Sequence, residues 1–128
     1  MSLMDGTQLA SALAERLAQV LPEGFFVSSD GHDLWLDTPD GVGTSAWAGV
    51  VDHNPMDLSS YASAAWTVLS SIQDGVSVTL REPWPLVMVG REHQMAMPGA
   101  KVVDEVLQFW YGDEDAPAIR FQPIKIRN

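Results

Sequence analysis

The chain has 128 residues, of which 46% are hydrophobic and 19% are charged, so it is long and apolar enough to bury one core and is not typical of intrinsic disorder. Its formal net charge is −10, which repels phosphate backbones and disfavours nucleic-acid binding. The absence of cysteine excludes disulfides and thiolate chemistry and is compatible with the cytoplasm.

The ends of the chain and its hydropathy bear on location. No segment has the ~18–20 apolar residues of a membrane-spanning helix, so no membrane association is expected. The N-terminus has no basic segment followed by an apolar one, so no signal peptide is predicted and a cytoplasmic location is expected. Met1-Ser2-Leu3 stands before a second methionine, Met4, and is interpreted as an expression leader. Residues 4–128 are predicted to form a single α+β domain.

The first predicted element is an amphipathic helix over residues 7–20. Leucines recur there every four residues, at Leu9, Leu13 and Leu17, which is the spacing of one helix face. Thr7 or Asp5 is predicted to cap its start.

A β-hairpin is predicted next, over residues 25–37, with a type I′ turn at Asp30-Gly31 that places Val27 opposite Leu34. Alternation divides its side chains between two faces. One face is mostly apolar and is predicted to meet the core: Phe25, Val27, Ser29, His32, Leu34 and Leu36. The other face is mixed: Phe26, Ser28, Asp33, Trp35 and Asp37.

A turn-rich loop over residues 38–43 leads to a predicted third strand at residues 44–51. A second helix follows, because apolar residues then recur at a 4-3-4-3-4 spacing: Leu58, Ala62, Ala65, Leu69, Ile72 and Val76. Asp74-Gly75 is predicted to end or to bend this helix. Residues 76–80 fit either a helix or a strand.

The C-terminal part is predicted to be a long irregular connection followed by a meander. Residues 81–99 are proline-rich, with a short strand-like run at 86–89. Strands are predicted at residues 101–103, 106–111 and 118–122, and Pro123 indicates an edge strand after them. The order α-β-β-β-α-β-β-β predicts an α+β fold with a mostly antiparallel β-sheet and two helices packed on one face.

Asp52, His53 and Asp57 form the one local cluster of titratable side chains that merits a functional hypothesis. A carboxylate beside a histidine is suited to act as a base or to hold a cation in a pocket. Aspartates at the start of a helix also cap it, which is the structural interpretation. The three histidines lack metal-ligand spacing and no phosphate-binding glycine motif is present, so no metal and no cofactor is predicted.

Four aromatic side chains exceed what one core face needs: Phe26, Trp35, Trp66 and Trp110. Aromatic residues dominate the energetics of protein interfaces, so these four are the predicted binding residues. The favoured function is therefore a non-enzymatic protein-interaction module that binds a polypeptide, or a second copy of itself as a homodimer. The alternatives are that the long connection covers these side chains, or that the chain is a small-molecule binder or enzyme with its site near Asp52, His53 and Asp57.

Two short motifs, Glu82-Pro83-Trp84-Pro85 and Trp110-Tyr111-Gly112-Asp113, together resemble those of small uncharacterised acidic proteins of actinobacteria. The element order is also similar to that of the type III secretion chaperone-like fold, including YbjN-like proteins. Those proteins are acidic, cytosolic and usually dimeric, and bind other polypeptides. The resemblance implies a chaperone-like or adaptor-like role, although this chain lacks the C-terminal helix that secretion chaperones normally have.

Overall fold

The computed structural model describes residues 3–41, 43–47, 57–89 and 91–127. Two helices and nine strands lie in these ranges, in an order that confirms the predicted α+β class. They are α1 (Gly6–Ala18), β1 (Phe26–Asp30), β2 (Asp33–Asp37), β3 (Thr44–Trp47), α2 (Ser59–Leu80), β4 (Leu86–Val89), β5 (Glu92–Met95), β6 (Pro98–Val103), β7 (Val106–Gly112), β8 (Pro117–Arg120) and β9 (Ile124–Lys125).

All strand pairs in the described ranges are antiparallel, as predicted, and they fall into three sheets. The N-terminal sheet has the order β1-β2-β3, and β4 and β5 form a separate hairpin. In the C-terminal sheet β6 pairs with one side of β7, while β8 and β9 both pair with the other side. No helix in the described ranges is long and apolar enough to span a membrane.

Helix α1 begins at a reciprocal cap. The side chain of Asp5 accepts a hydrogen bond of 2.8 Å from the Gln8 backbone N–H, and the Gln8 side chain accepts one of 2.9 Å from the Asp5 N–H. This capping box pairs two backbone donors that the first helical turn leaves without partners. Of the two predicted caps, Asp5 is therefore the one used.

The turn of the first hairpin lies one residue later than predicted. Asp30 pairs with Asp33, so Gly31 and His32 form the loop, and Val27 pairs with Leu36. Gly31 has φ +60°, while Asp30 and His32 do not have positive φ. This fits a type II′ turn, which needs positive φ at its first central residue alone, whereas the predicted type I′ turn needs it at two. The strand partners shift by two residues, so the side chains within β1 and β2 keep their predicted faces, whereas His32, predicted on the core-facing side, lies in the loop and is exposed.

Helix α2 is continuous through Asp74-Gly75 and includes residues 76–80, which the sequence left undecided. Its buried side is wider than the predicted seam and includes two polar residues: Ser60, Tyr61, Ala64, Ala65, Val68, Leu69, Ile72, Gln73 and Val76. The helix ends at Arg81, which adopts the left-handed conformation with φ 60°. A left-handed residue directly after the last turn is a common way to stop an α-helix.

Residues 81–99, predicted to be irregular apart from 86–89, contain the hairpin β4-β5. The second strand of this hairpin has no apolar alternation, because Glu92, His93 and Gln94 are all exposed. A strand exposed on both faces gives no period-2 signal, so this part of the prediction was wrong.

The core is one cluster of apolar side chains from both helices and from the N- and C-terminal sheets. Three hydrogen bonds between distant segments anchor it. The Tyr111 hydroxyl donates to the Leu69 carbonyl at 2.6 Å, the Tyr61 hydroxyl donates to the Met4 carbonyl, and the Gln73 amide donates to the Ala96 carbonyl. Burial, and secondarily the charge of Asp74, raises the pKa of the Tyr111 hydroxyl, which therefore stays a neutral donor.

Gly75 marks the closest approach of α2 to the N-terminal sheet. A Cβ atom at this position would lie 2.7 Å from Cγ2 of Thr44 and 2.8 Å from Cδ2 of Leu36. In an open helix, replacing glycine with alanine stabilises by about 1 kcal/mol. At Gly75 the steric conflict opposes that gain.

We expect Gly75→Ala to lower the free energy of unfolding by about 1–3 kcal/mol, the usual cost of overpacking. Urea denaturation followed by circular dichroism measures it. Thr44→Ser removes the nearest clashing atom and should recover part of the loss. Ser63→Ala, at an exposed position of the same helix, is the control and should be neutral or stabilising. An increase in stability for Gly75→Ala would contradict the close packing.

Candidate functional site

The N-terminal sheet has one covered face and one exposed face. Leu34 and Leu36 project from β2 into the core and are completely or almost completely buried. The opposite side of the sheet is here called the outer face. The side chains that the structure describes on it are Phe26, Ser28 and Asp30 of β1, Asp33, Trp35 and Asp37 of β2, and Ser45 of β3. Because side chains alternate along a strand, both sets follow from the same register.

Two large aromatic side chains of the outer face are exposed to solvent. Phe26 is 68% exposed and Trp35 is 47% exposed. Phe26 pairs with Asp37 and Trp35 pairs with Ser28, so the two aromatics are diagonal neighbours across the β1–β2 pair. The prediction that they lie on a mixed face, away from the core, is confirmed. Their register neighbours on this face are polar: Ser28, Asp37 and Ser45.

Trp110 does not belong to such a surface, and the expectation that it is exposed was wrong. Its side chain is 6% exposed. It lies across Gly99, where a Cβ atom would be 2.5 Å from the indole ring, and the guanidinium of Arg120 is 5.5 Å from the ring centroid. The missing side chain of Gly99 makes room for the indole, and Arg120 partly covers it.

Trp66 lies in a different place from Phe26 and Trp35. It is 47% exposed and borders a shallow groove of about 310 Å³ between α2 and β6, with Ala62 and Ala100 at its base. None of the residues that line this groove belongs to the N-terminal sheet. The structure therefore does not bring the four predicted binding residues together, but leaves Phe26 and Trp35 as a pair and Trp66 apart.

Of the alternative pocket, Asp52 and His53 lie outside the described residues. Asp57 is described and exposed. Its carboxylate accepts hydrogen bonds from the Ser59 hydroxyl at 2.6 Å and from the Ser59 backbone N–H at 3.0 Å. The hydroxyl, followed by the backbone N–H, lowers the pKa of Asp57. The N-cap position of α2 is Leu58, with no side-chain cap hydrogen bond, so Asp57 is not the helix cap that the structural interpretation proposed; it lies one residue earlier and binds the Ser59 backbone and side chain instead.

Other titratable side chains do not converge in the part of the chain that the structure describes. No group of three or more His, Asp or Glu side chains suited to a metal ion occurs there. A cleft of about 450 Å³ between the β2–β3 loop and α2 has Asp40 and Asp74 on its walls. The sequence did not predict that Asp40 and Asp74 line one cleft, because the two aspartates are far apart in the chain and follow no common spacing.

The chain matches no protein-family model, no curated protein and no solved structure. Its resemblance to actinobacterial acidic proteins and to chaperone-like folds therefore stays a prediction.

The exposure of Phe26 and Trp35 predicts that neither contributes much to stability. Phe26→Thr and Trp35→Thr should each change the free energy of unfolding by less than about 1 kcal/mol, since threonine retains strand propensity. Leu36→Ala, on the inner side of the same sheet, should lose about 2–5 kcal/mol. Urea denaturation distinguishes these cases, and unfolding of the threonine variants would show that both aromatics belong to the core.

The contacts of Asp57 predict how its titration responds to mutation. Ser59→Ala removes the hydroxyl donor and keeps the backbone N–H, so the pKa of Asp57 should rise toward its ordinary value of 3.8. A carboxyl group whose pKa is lower in the folded than in the unfolded state stabilises the fold at pH values above the unfolded-state pKa. That stabilisation is lost as the pH falls through the folded-state pKa, so this contact acts above about pH 4. Carboxyl-detected NMR titration measures the change, and an unaltered pKa would contradict the hydrogen bond between the Ser59 hydroxyl and Asp57.

Proposed function

We propose that this chain is a non-enzymatic protein-interaction module that binds a polypeptide through the outer face of its N-terminal sheet. The observation that carries the proposal is the exposure of Phe26 and Trp35 side by side on one sheet face. Their strand neighbours Leu34 and Leu36 are the residues that β2 buries in the core, whereas Phe26 and Trp35 project to the other side of the sheet. A tryptophan and a phenylalanine with polar neighbours have the composition of an interface hot spot.

The occupant of the outer face is either another polypeptide or a second copy of the chain. Both would cover the two aromatics, and both agree with a chaperone-like or adaptor-like role. Trp66 lies on a separate groove, so it is treated as a second contact that is tested independently. The buried Trp110 is not part of the proposed surface.

Affinity capture with matched variants tests the proposal. Tagged wild-type protein should retain a saturable polypeptide from a lysate of its source organism, identified by mass spectrometry. The Phe26→Thr/Trp35→Thr variant should bind at least about thirty-fold more weakly, because truncating one hot-spot residue costs about 2 kcal/mol or more. A partner retained equally by this variant would contradict the proposed surface.

Two further variants serve as controls in the same experiment. Val78→Thr/Met97→Thr removes two other strongly exposed apolar side chains and should bind as wild type does. Trp66→Thr shows whether the groove beside α2 adds to binding. Analytical ultracentrifugation of wild type and Phe26→Thr/Trp35→Thr identifies self-association, which would appear as a dimer in the wild type alone.

A further inference from the structure

The outer face carries a defined arrangement of negative charge around its aromatic centre. Asp33 and Asp37 lie on β2 two residues before and two residues after Trp35, so all three side chains project from the same face. Asp30 pairs with Asp33 from β1. The indole of Trp35 is thus bounded by carboxylates along its own strand, and a third carboxylate stands at the hairpin end.

These carboxylates are not neutralised within the described part of the chain. Ion pairs among the described residues include Glu15 with Arg16, Lys101 with Glu114, and Glu105 with Arg127, and none of these includes an outer-face aspartate. Residues 1–80 contain a single lysine or arginine, Arg16. Its guanidinium donates hydrogen bonds of 3.2 Å each to the carbonyls of Gln122 and Pro123, so it is bound to the C-terminal segment.

We propose that the polypeptide bound by the outer face is an arginine-containing segment, an inference that rests on the proposed function. An arginine guanidinium lies over the indole of Trp35, between the carboxylates of Asp33 and Asp37, and an apolar side chain of the partner covers Phe26. Guanidinium groups are weakly hydrated, stack on aromatic rings and pair with carboxylates, so they fit such a site better than an ammonium group. The chain already uses this contact internally, where Arg120 lies over Trp110.

Charge argues against a second copy as the occupant. A two-fold dimer apposes the same patch of both protomers. Pairing through the outer face would place six carboxylates, those of Asp30, Asp33 and Asp37 from both copies, in one interface with no lysine or arginine of that face to balance them, and such an accumulation of like charge is unfavourable. The same face attracts a cationic partner and repels its own copy.

Selection from a displayed library of random peptides tests this inference without knowledge of the natural partner. Peptides of about ten residues, the length of a long strand, are selected on wild-type protein and counter-selected on Phe26→Thr/Trp35→Thr. We expect the retained sequences to be enriched in arginine together with apolar residues. A selected peptide is then synthesised with arginine, lysine or the neutral isostere citrulline, and its affinity is measured by titration calorimetry.

The expected result is an affinity about tenfold lower with citrulline, and an intermediate affinity with lysine. Asp33→Asn/Asp37→Asn should weaken the arginine peptide about tenfold and make its affinity less dependent on salt. Asp113→Asn/Asp115→Asn, which neutralises two exposed aspartates of the β7–β8 loop, is the control and should bind as wild type does.

Several outcomes separate this inference from the proposed function. Peptides that need Phe26 and Trp35 but bind equally with citrulline would overturn the arginine site and leave the proposed function intact. Equal affinity for lysine and arginine would overturn the guanidinium contact. A library that yields no peptide dependent on Phe26 and Trp35 would count against both, and a wild-type dimer abolished by Phe26→Thr/Trp35→Thr would identify a second copy as the occupant.

Discussion

Helix α2 packs against strands of both the N-terminal and the C-terminal sheet, and the rest of the structure depends on this shared contact. On one side its backbone at Gly75 comes close enough to Thr44 and Leu36 that no Cβ atom fits between them. On the other side the carbonyl of Leu69 accepts a hydrogen bond from the buried hydroxyl of Tyr111. Because close packing leaves little freedom in such an arrangement, the helix fixes which face of each sheet points inward.

The exposure of Phe26 and Trp35 follows from that constraint. Once α1 and α2 cover the inner side of β2, period-2 alternation places every second side chain of the hairpin on the opposite side of the sheet. Leu34 and Leu36 complete the core, and Trp35 between them cannot reach it without a one-residue slip that would expose both leucines. The aromatic outer face is therefore maintained by the leucines that pack behind it.

The elements that could be predicted from the sequence are those in which apolar residues recur at the period of a helix or a strand. Three local patterns are strong: the leucine spacing of α1, the apolar seam of α2 and the alternation of β1 and β2. The structure contains the helix or strand that each of them predicts. Residues 76–80 were ambiguous because valines two apart also fit a strand, and packing of Val76 in the core resolves them as helix. Residues 86–89, predicted as a strand-like run, form β4, but its partner β5 was missed because neither face of β5 is buried.

The same distinction applies to the candidate site. The position of Phe26 and Trp35 could be predicted because a two-residue error in strand pairing leaves every side chain of a strand on the same face of the sheet. The burial of Trp110 could not, since it depends on Gly99 and Arg120 in two neighbouring strands. Separation of Trp66 from the hairpin aromatics likewise depends on how α2 sits against β6, which no local pattern encodes.

Exposed aromatic side chains on a sheet favour indiscriminate association, and proteins commonly oppose this with charge. On the outer face, the carboxylates of Asp33 and Asp37 lie on the same strand as the indole of Trp35, two residues before it and two residues after it. Carboxylates so placed oppose any acidic or identical surface and still leave the ring accessible to a cation. Under the proposed function, the aspartates that disfavour pairing with a second copy are the same aspartates that favour an arginine-bearing partner.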